Sequence, residues 1–134
     1  MRIAEAARLS GVSAKLIRYY EVRGLLSPAG RTPKGYRVFN NPNVHELRFI
    51  KRARTLGFPI KQIDALLGLW RDKQRPSRKV RALAETHRQS IADRMQGHRA
   101  IIKVLTRLID ACRGDDRPDC PILDELSQSR ANNP

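Results

Sequence analysis

Apolar residues recur at helical spacing along most of the chain, and the breaks between runs mark the elements. Ile3, Ala6 and Ala7 share one face of a short run ending near Leu9, and Ser10-Gly11-Val12 follows as a tight turn. Ser13 reads as the N-cap of a second helix from Ala14 to about Val22, in which Leu16 and Tyr20 stand four apart. Short helices joined by a Gly-containing turn make the helix-turn-helix pattern, whose second helix enters the major groove of DNA. Here that helix presents Lys15, Arg18 and Tyr19 on its polar side. A helical hairpin in some other domain would share the pattern; the basic second helix is what favours DNA.

Gly24 to Pro28 stops this helix. Residues 31–39 then alternate as a short hairpin turning at Pro33-Lys34-Gly35, a wing with Arg31, Lys34 and Arg37 near its tip. Basic groups and the Tyr36 hydroxyl there suit phosphates, which set register but read no bases. The bland alternative is an edge hairpin kept soluble by Lys and Arg. Asn43 is expected to cap a helix from Val44 to Leu56, with Leu47, Ile50 and Ala53 inward and Gly57 ending it. Pro59 opens a further helix, Ile60 to Trp70, expected to bury Ile63, Leu66, Leu67 and Trp70. These elements make a first domain over residues 1–70. The polar stretch 71–79, which contains Pro76, reads as a hinge.

From Val80 to about Ala111 the chain has no Pro and a single Gly. Val80, Ala84, His87, Ile91, Arg94, His98, Ile101, Leu105, Leu108 and Cys112 follow one another at alternating steps of four and three. That is a heptad-like stripe, strong toward its C-terminal end. A helix over 80–111 is a rod of roughly 48 Å that cannot bury its stripe alone. A dimeric coiled coil is the natural solution, and it supplies two DNA-reading heads for two half-sites. His87 and His98 fit polar interface positions better than metal ligands. Residues 112–126 form a loop and a short helix with Cys120 near its N-cap and Pro121 at its first position, and 127–134 read as a flexible tail.

Charge sharpens this picture. The 134 residues carry a net charge of +14, which calls for a polyanionic partner. Residues 1–57 hold +9 and residues 58–107 +8, while residues 108–134 hold −3, so the polyanion should meet the N-terminal part. No apolar run suits a spanning helix or a signal peptide, and a cytoplasmic protein is expected. No P-loop, nucleophile elbow or zinc-protease motif is present, and an enzyme is not expected. In a reducing compartment the two cysteines should not form a permanent disulfide.

Cys112 ends the rod and Cys120 starts the small helix, with Gly and Pro between them to let the loop fold back. Their sulfurs can then converge on one ion. Zn(II) wants four ligands. Soft thiolates select Cu(I) and its relatives, and a monovalent d10 ion accepts linear ligation by two sulfurs. The resulting charge of −1 would be offset by Arg78, Lys79 or Arg81. Two unrelated core cysteines, or a redox switch, remain open readings of the same spacing.

The motifs I-x-E-A-A-x-x-x-G-V-S at 3–13, L-I-R-Y-Y-E-x-x-G-L-L at 16–26, R-x-x-x-G-Y-R at 31–37 and L-x-F-I-K-R-A-R-x-L-G-F at 47–58 resemble the MerR family of bacterial transcription regulators. The segment A-C-R-G-D-D-R-P-D-C-P-I at 111–122 is similar to the metal loop of its copper-efflux (CueR-like) branch. The resemblance implies a mainly α fold: a winged helix-turn-helix DNA-binding domain, a long dimerisation helix in an antiparallel coiled coil, and a C-terminal metal-binding loop with a short helix. It implies a homodimer on promoter DNA that works with RNA polymerase to switch on metal efflux genes. The effector is implied to be Cu(I), and also Ag(I) or Au(I), held by Cys112 and Cys120. Ser77 stands where sensors of divalent ions carry Cys. Binding is implied to distort a promoter whose polymerase-recognition elements lie too far apart. Arg18 and Tyr19 match recognition-helix contacts, with Lys15 alongside; Tyr36 and Arg37 match wing contacts, with Arg31 joining them; Arg54 matches a backbone contact. A divalent-metal or thiol-redox regulator of the same family is the alternative.

Overall fold

A computed structural model describes residues 1–28 and 30–128. The chain is mainly helical, with the elements α1 (Ile3–Ser10), α2 (Ala14–Val22), β1 (Gly30–Arg31), β2 (Arg37–Val38), α3 (Asn41–Thr55), α4 (Ile60–Arg71), α5 (Ser77–Ala111) and α6 (Pro121–Ser127). They divide into two units, Met1–Glu85 and one beginning at Thr86.

In the first unit the turn between α1 and α2 works through Gly11. Its φ of 75° lets its N–H close α1 on the Ala7 carbonyl, a conformation a Cβ would strain. Two residues on, the Ser13 side chain accepts the Leu16 N–H, the expected cap of α2. The strands pair antiparallel, Gly30 with Val38 and Arg31 with Arg37. Their turn is closed by the Thr32 N–H on the Tyr36 carbonyl (2.7 Å) and the Gly35 N–H on the Thr32 carbonyl (2.8 Å).

The start of α3 differs from the sequence expectation. Asn40, not Asn43, is the N-cap: its side chain accepts the Asn43 N–H (2.9 Å), and the Asn43 side chain accepts the Asn40 N–H (3.1 Å). This reciprocal capping box tolerates Pro42 in the first turn, where a missing N–H costs nothing, so the helix starts three residues before Val44. Asn43 is instead fully buried at the third helical position.

α1 packs on α2 and α3, and α3 packs on α4. Between them lies one core containing Ile17, Tyr20, Leu25, Phe39, Leu47, Ile50, Ile63 and Leu67. Trp70 does not join it. Ile63 and Leu67 take the inward face of α4, and Trp70, at the helix end, stays 39% exposed. Its ring stacks on Phe49 at the core rim, centroids 4.6 Å apart and planes 14° from parallel. Leu66, also expected inside, is only half-buried, because it sits beside that inward face rather than on it.

Arg71 belongs to α4, and residues 72–76 connect it to α5, a narrower connection than the 71–79 hinge read from composition. α5 begins at Ser77, ahead of its first apolar stripe position. Of the stripe, Ile91, Ile101 and Leu105 are 37%, 55% and 47% exposed in the single chain. The last six positions of the expected tail, 129–134, lie outside the described residues. Among the described residues no helix is long and apolar enough to cross a membrane.

Candidate nucleic-acid interface and thiol pair

α2 turns Ile17 and Tyr20 inward, 0% and 2% exposed, which leaves Lys15, Arg18 and Tyr19 facing solvent. The Tyr19 ring leans against Tyr20, centroids 5.8 Å apart, and the Arg23 guanidinium lies over it, 5.6 Å from its centre. Tyr19 is thereby held on the surface at 43% exposure.

A cleft runs between α2 and the hairpin. Arg18, Arg31, Tyr36 and Arg37, singled out from sequence, all line it, and so do Arg2 and Glu21. The Arg31 guanidinium donates to the Gly35 carbonyl (2.9 Å), which keeps it along the hairpin turn. Arg37 pairs through Nε with Glu21 (3.0 Å). Arg2 lies over the Tyr36 ring, 4.0 Å from its centre. Arg2 is not singled out by the sequence, and Glu21 enters it only as one letter of the motif at 16–26. Each meets its partner across a chain separation that no local spacing encodes. Arg54 lines a second, smaller cleft with Lys51 and Ser13 beside the turn of the helix pair. The cationic groups thus gather on the α2 and hairpin side and beside that turn, a surface suited to a phosphate backbone flanking an inserted helix.

The second unit carries the thiols. Cys112 follows α5 directly, its N–H donating to the Leu108 and Ile109 carbonyls (3.1 Å each). Cys120 is the N-cap of α6, with Pro121 behind it, as the sequence indicates. Both are free thiols and half-buried. Among the described residues no group of three or more His, Cys, Asp or Glu side chains gathers as a ligand set. Ser77 is the first residue of α5 and is exposed.

Comparison with known proteins bears on both regions. Residues 1–69 match the family model described as MerR HTH family regulatory protein, and residues 44–108 match the one described as MerR, DNA binding. The chain is 47% identical over 98% of its length to heavy metal-dependent transcription regulator 2 of Rhizobium meliloti (strain 1021), of which it covers 89%. It is 34% identical to the HTH-type transcriptional regulator CueR of Escherichia coli O6:H1, covering 95% of this chain and 94% of that one. Its fold is similar to a transcription regulator of Ralstonia metallidurans CH34 solved in complex with lead(II), with a TM-score of 0.86 and 28% identity over 95% of this chain and 99% of that one.

Proposed function

The chain belongs to the MerR family of helix-turn-helix regulatory proteins, and on that premise we propose that it is a heavy-metal-responsive transcription activator whose effector is Cu(I), and also Ag(I) or Au(I). Like its relatives it is a DNA-binding regulator and not an enzyme. The observation that carries the metal reading is the donor set. Cys112, directly after α5, and Cys120, the N-cap of α6, are free, half-buried thiols, and among the described residues no three or more His, Cys, Asp or Glu side chains gather as a larger ligand set. Two thiolates suit an ion content with linear sulfur coordination and leave Zn(II) two ligands short. The ion, when bound, supplies a bond across the loop 113–119. The chain's own contribution is to present two sulfurs, with Ser77 in place of a further thiol as the selectivity position.

On the DNA side, Lys15, Arg18 and Tyr19 of α2 enter the major groove, Arg31, Tyr36 and Arg37 of the wing hold phosphates, and Arg54 contacts the backbone from α3. The partner is double-stranded promoter DNA, bound by a homodimer joined through the α5 stripe. The metal shifts the DNA-bound dimer between two states that differ in spacer distortion, which lets RNA polymerase use both promoter elements.

The test is an anaerobic competition titration of the reduced chain with Cu(I) against a chromogenic chelator, repeated with Zn(II). Uptake of one Cu(I) per chain, lost in Cys120→Ser and not matched by Zn(II), is expected. Tight Zn(II) with weak Cu(I) moves the protein to the divalent sensors, and uptake of neither leaves a DNA-binding dimer whose signal is redox or another input and overturns the metal reading. Cys112→Ser should abolish induction in a purified transcription assay while DNA binding persists. If DNA binding is lost as well, the thiols are structural.

A further inference from the structure

We propose that Glu21 is a positioning residue for DNA recognition: by holding Arg37 it fixes the wing hairpin against α2, and so sets the spacing between phosphate contacts and base contacts. The inference rests on the DNA-binding reading of α2 and the hairpin.

β1 and β2 share only two residue pairs. An isolated hairpin that short is not stable in water, so its angle must be set from outside. Three ties do this, all on β2 or immediately beside it. The Phe39 N–H donates to the Met1 carbonyl (2.6 Å) while its ring sits in the core at 2% exposure. Tyr36 lies under the Arg2 guanidinium. Arg37 pairs with Glu21, 3.0 Å through Nε. The first two anchor the hairpin to the start of α1. The third anchors it to α2, the helix that carries Arg18 and Tyr19. Glu21 follows Ile17 by one helical turn, so its stem lies on the inward side of α2, and its side chain is 18% exposed. The paired Arg37 side chain stays 36% exposed, within reach of an incoming phosphate.

The charge of Glu21 makes this more than packing. The cleft it lines carries Arg2, Arg18, Arg31 and Arg37. A carboxylate there opposes a polyanion. Judged by charge alone, removing it tightens binding to any DNA. Judged by position, removing it frees the wing and weakens binding to the sequence whose phosphates the wing must meet in register. The two effects have opposite signs, which makes them separable.

The full chain is first used to select a duplex from a randomised pool. Wild type, Glu21→Gln, Glu21→Asp, Arg37→Ala and the double variant Glu21→Gln/Arg37→Ala are then titrated with that duplex and with an unrelated one of equal length. We expect Glu21→Gln and Glu21→Asp each to weaken the selected duplex about fivefold, with the unrelated duplex unchanged or tighter, and Glu21→Gln to add nothing once Arg37 is Ala. Glu21→Asp keeps the charge and withdraws the carboxylate by one methylene, so full affinity in that variant overturns the proposal. So does equal tightening on both duplexes, or a loss that adds to that of Arg37→Ala. Thermal melts accompany the titrations, and unfolding of both Glu21 variants shows a role in the fold instead. If selection by the wild-type chain enriches no sequence, the DNA-reading interpretation itself fails, before any variant is compared.

Discussion

Arg71, the last residue of α4, donates to the carboxylate of Glu46 in α3 and, through Nη2, to the Leu25 carbonyl (2.6 Å). Glu46 is 5% exposed and also accepts from the Ser27 N–H (3.1 Å), the Ser27 hydroxyl (2.7 Å) and the Asn43 amide (3.1 Å). One buried carboxylate therefore ties together α3, the end of α4 and the segment leading from α2 to the wing. Sequence reading missed it, because a Glu between Val44 and Leu47 on a helix looks like a solvated position.

Burial alone would push the Glu46 carboxyl up, but the hydrogen bonds from Ser27, Arg71 and Asn43 outweigh it and hold the group below its ordinary value of 4.5. A group depressed in the folded state contributes stability that is present above its ordinary value and lost as pH falls through its folded value. Wild type should accordingly lose stability on acidification below about 4.5. Glu46→Gln keeps the shape and part of the hydrogen bonding but strands the Arg71 guanidinium, which is itself partly exposed. It should cost about 1–3 kcal/mol near neutral pH and lose less on acidification than wild type. Urea unfolding of both proteins, near neutrality and in mild acid, reads this out. Parallel losses on acidification would show that Glu46 is not the titrating group.

The capping box at α3 separates two asparagines that look alike in sequence. Asn40 is exposed and caps by one reciprocal pair, so Asn40→Ala should cost about 1 kcal/mol. Asn43 is 0% exposed and also donates to the Ser27 carbonyl (3.1 Å) and to Glu46. Asn43→Ala should cost about 2–3 kcal/mol, since it also leaves buried acceptors unpaired. Thermal unfolding of the two variants gives the order directly, and a larger loss at Asn40 would contradict the placement of the cap.

Elements whose signals are local were legible before the structure. α2 runs from Ala14 to Val22 as its cap at Ser13 and its apolar spacing indicate, and Pro121 marks the start of α6. The start of α3 was misplaced because three Asn, at 40, 41 and 43, surround Pro42, and only the bonding pattern tells an N-cap from a third position. Trp70 carries the right period for burial, but it stands where α4 runs past the edge of the core. For the candidate site the division is the same. Arg18, Arg31, Tyr36 and Arg37 were legible as residue types on predicted elements. The partners that aim two of them, Arg2 and Glu21, were not, since Arg2–Tyr36 and Glu21–Arg37 are contacts made by the tertiary fold.

Gly11 offers a separate check on the helix-turn-helix turn. A Cβ at this position would stand 2.6 Å from Lys51 Nζ, the free end of a flexible side chain that can swing away. The steric part of Gly11→Ala is therefore cheap, and the left-handed backbone at φ 75° remains as the cost. About 1 kcal/mol of strain is expected, a fall in melting temperature of a few degrees. An unchanged or higher melting temperature would mean the turn relaxes to another backbone conformation at no cost.

The stripe on α5 makes a prediction about assembly. Ile101 and Leu105 stand four apart, one helical turn, and expose 55% and 47% of their surface in the single chain. Fully burying such side chains is worth about 1.5–3 kcal/mol each, so a partner helix laid along the stripe has ample driving force. A carboxylate in the seam reverses that sign, because it must be desolvated without a partner. Ile101→Asp combined with Leu105→Asp should therefore convert a dimer to a monomer in sedimentation velocity. The first unit carries its own core over residues 6–67, so its melting should change little. Binding to a duplex with two half-sites should fall toward that of one head alone, since linking two heads raises apparent affinity by about 100-fold or more. A variant that remains dimeric would place the seam elsewhere on the chain. A monomer that still binds the two-half-site duplex at full strength would show that the heads read DNA independently, and that the long helix serves some other end.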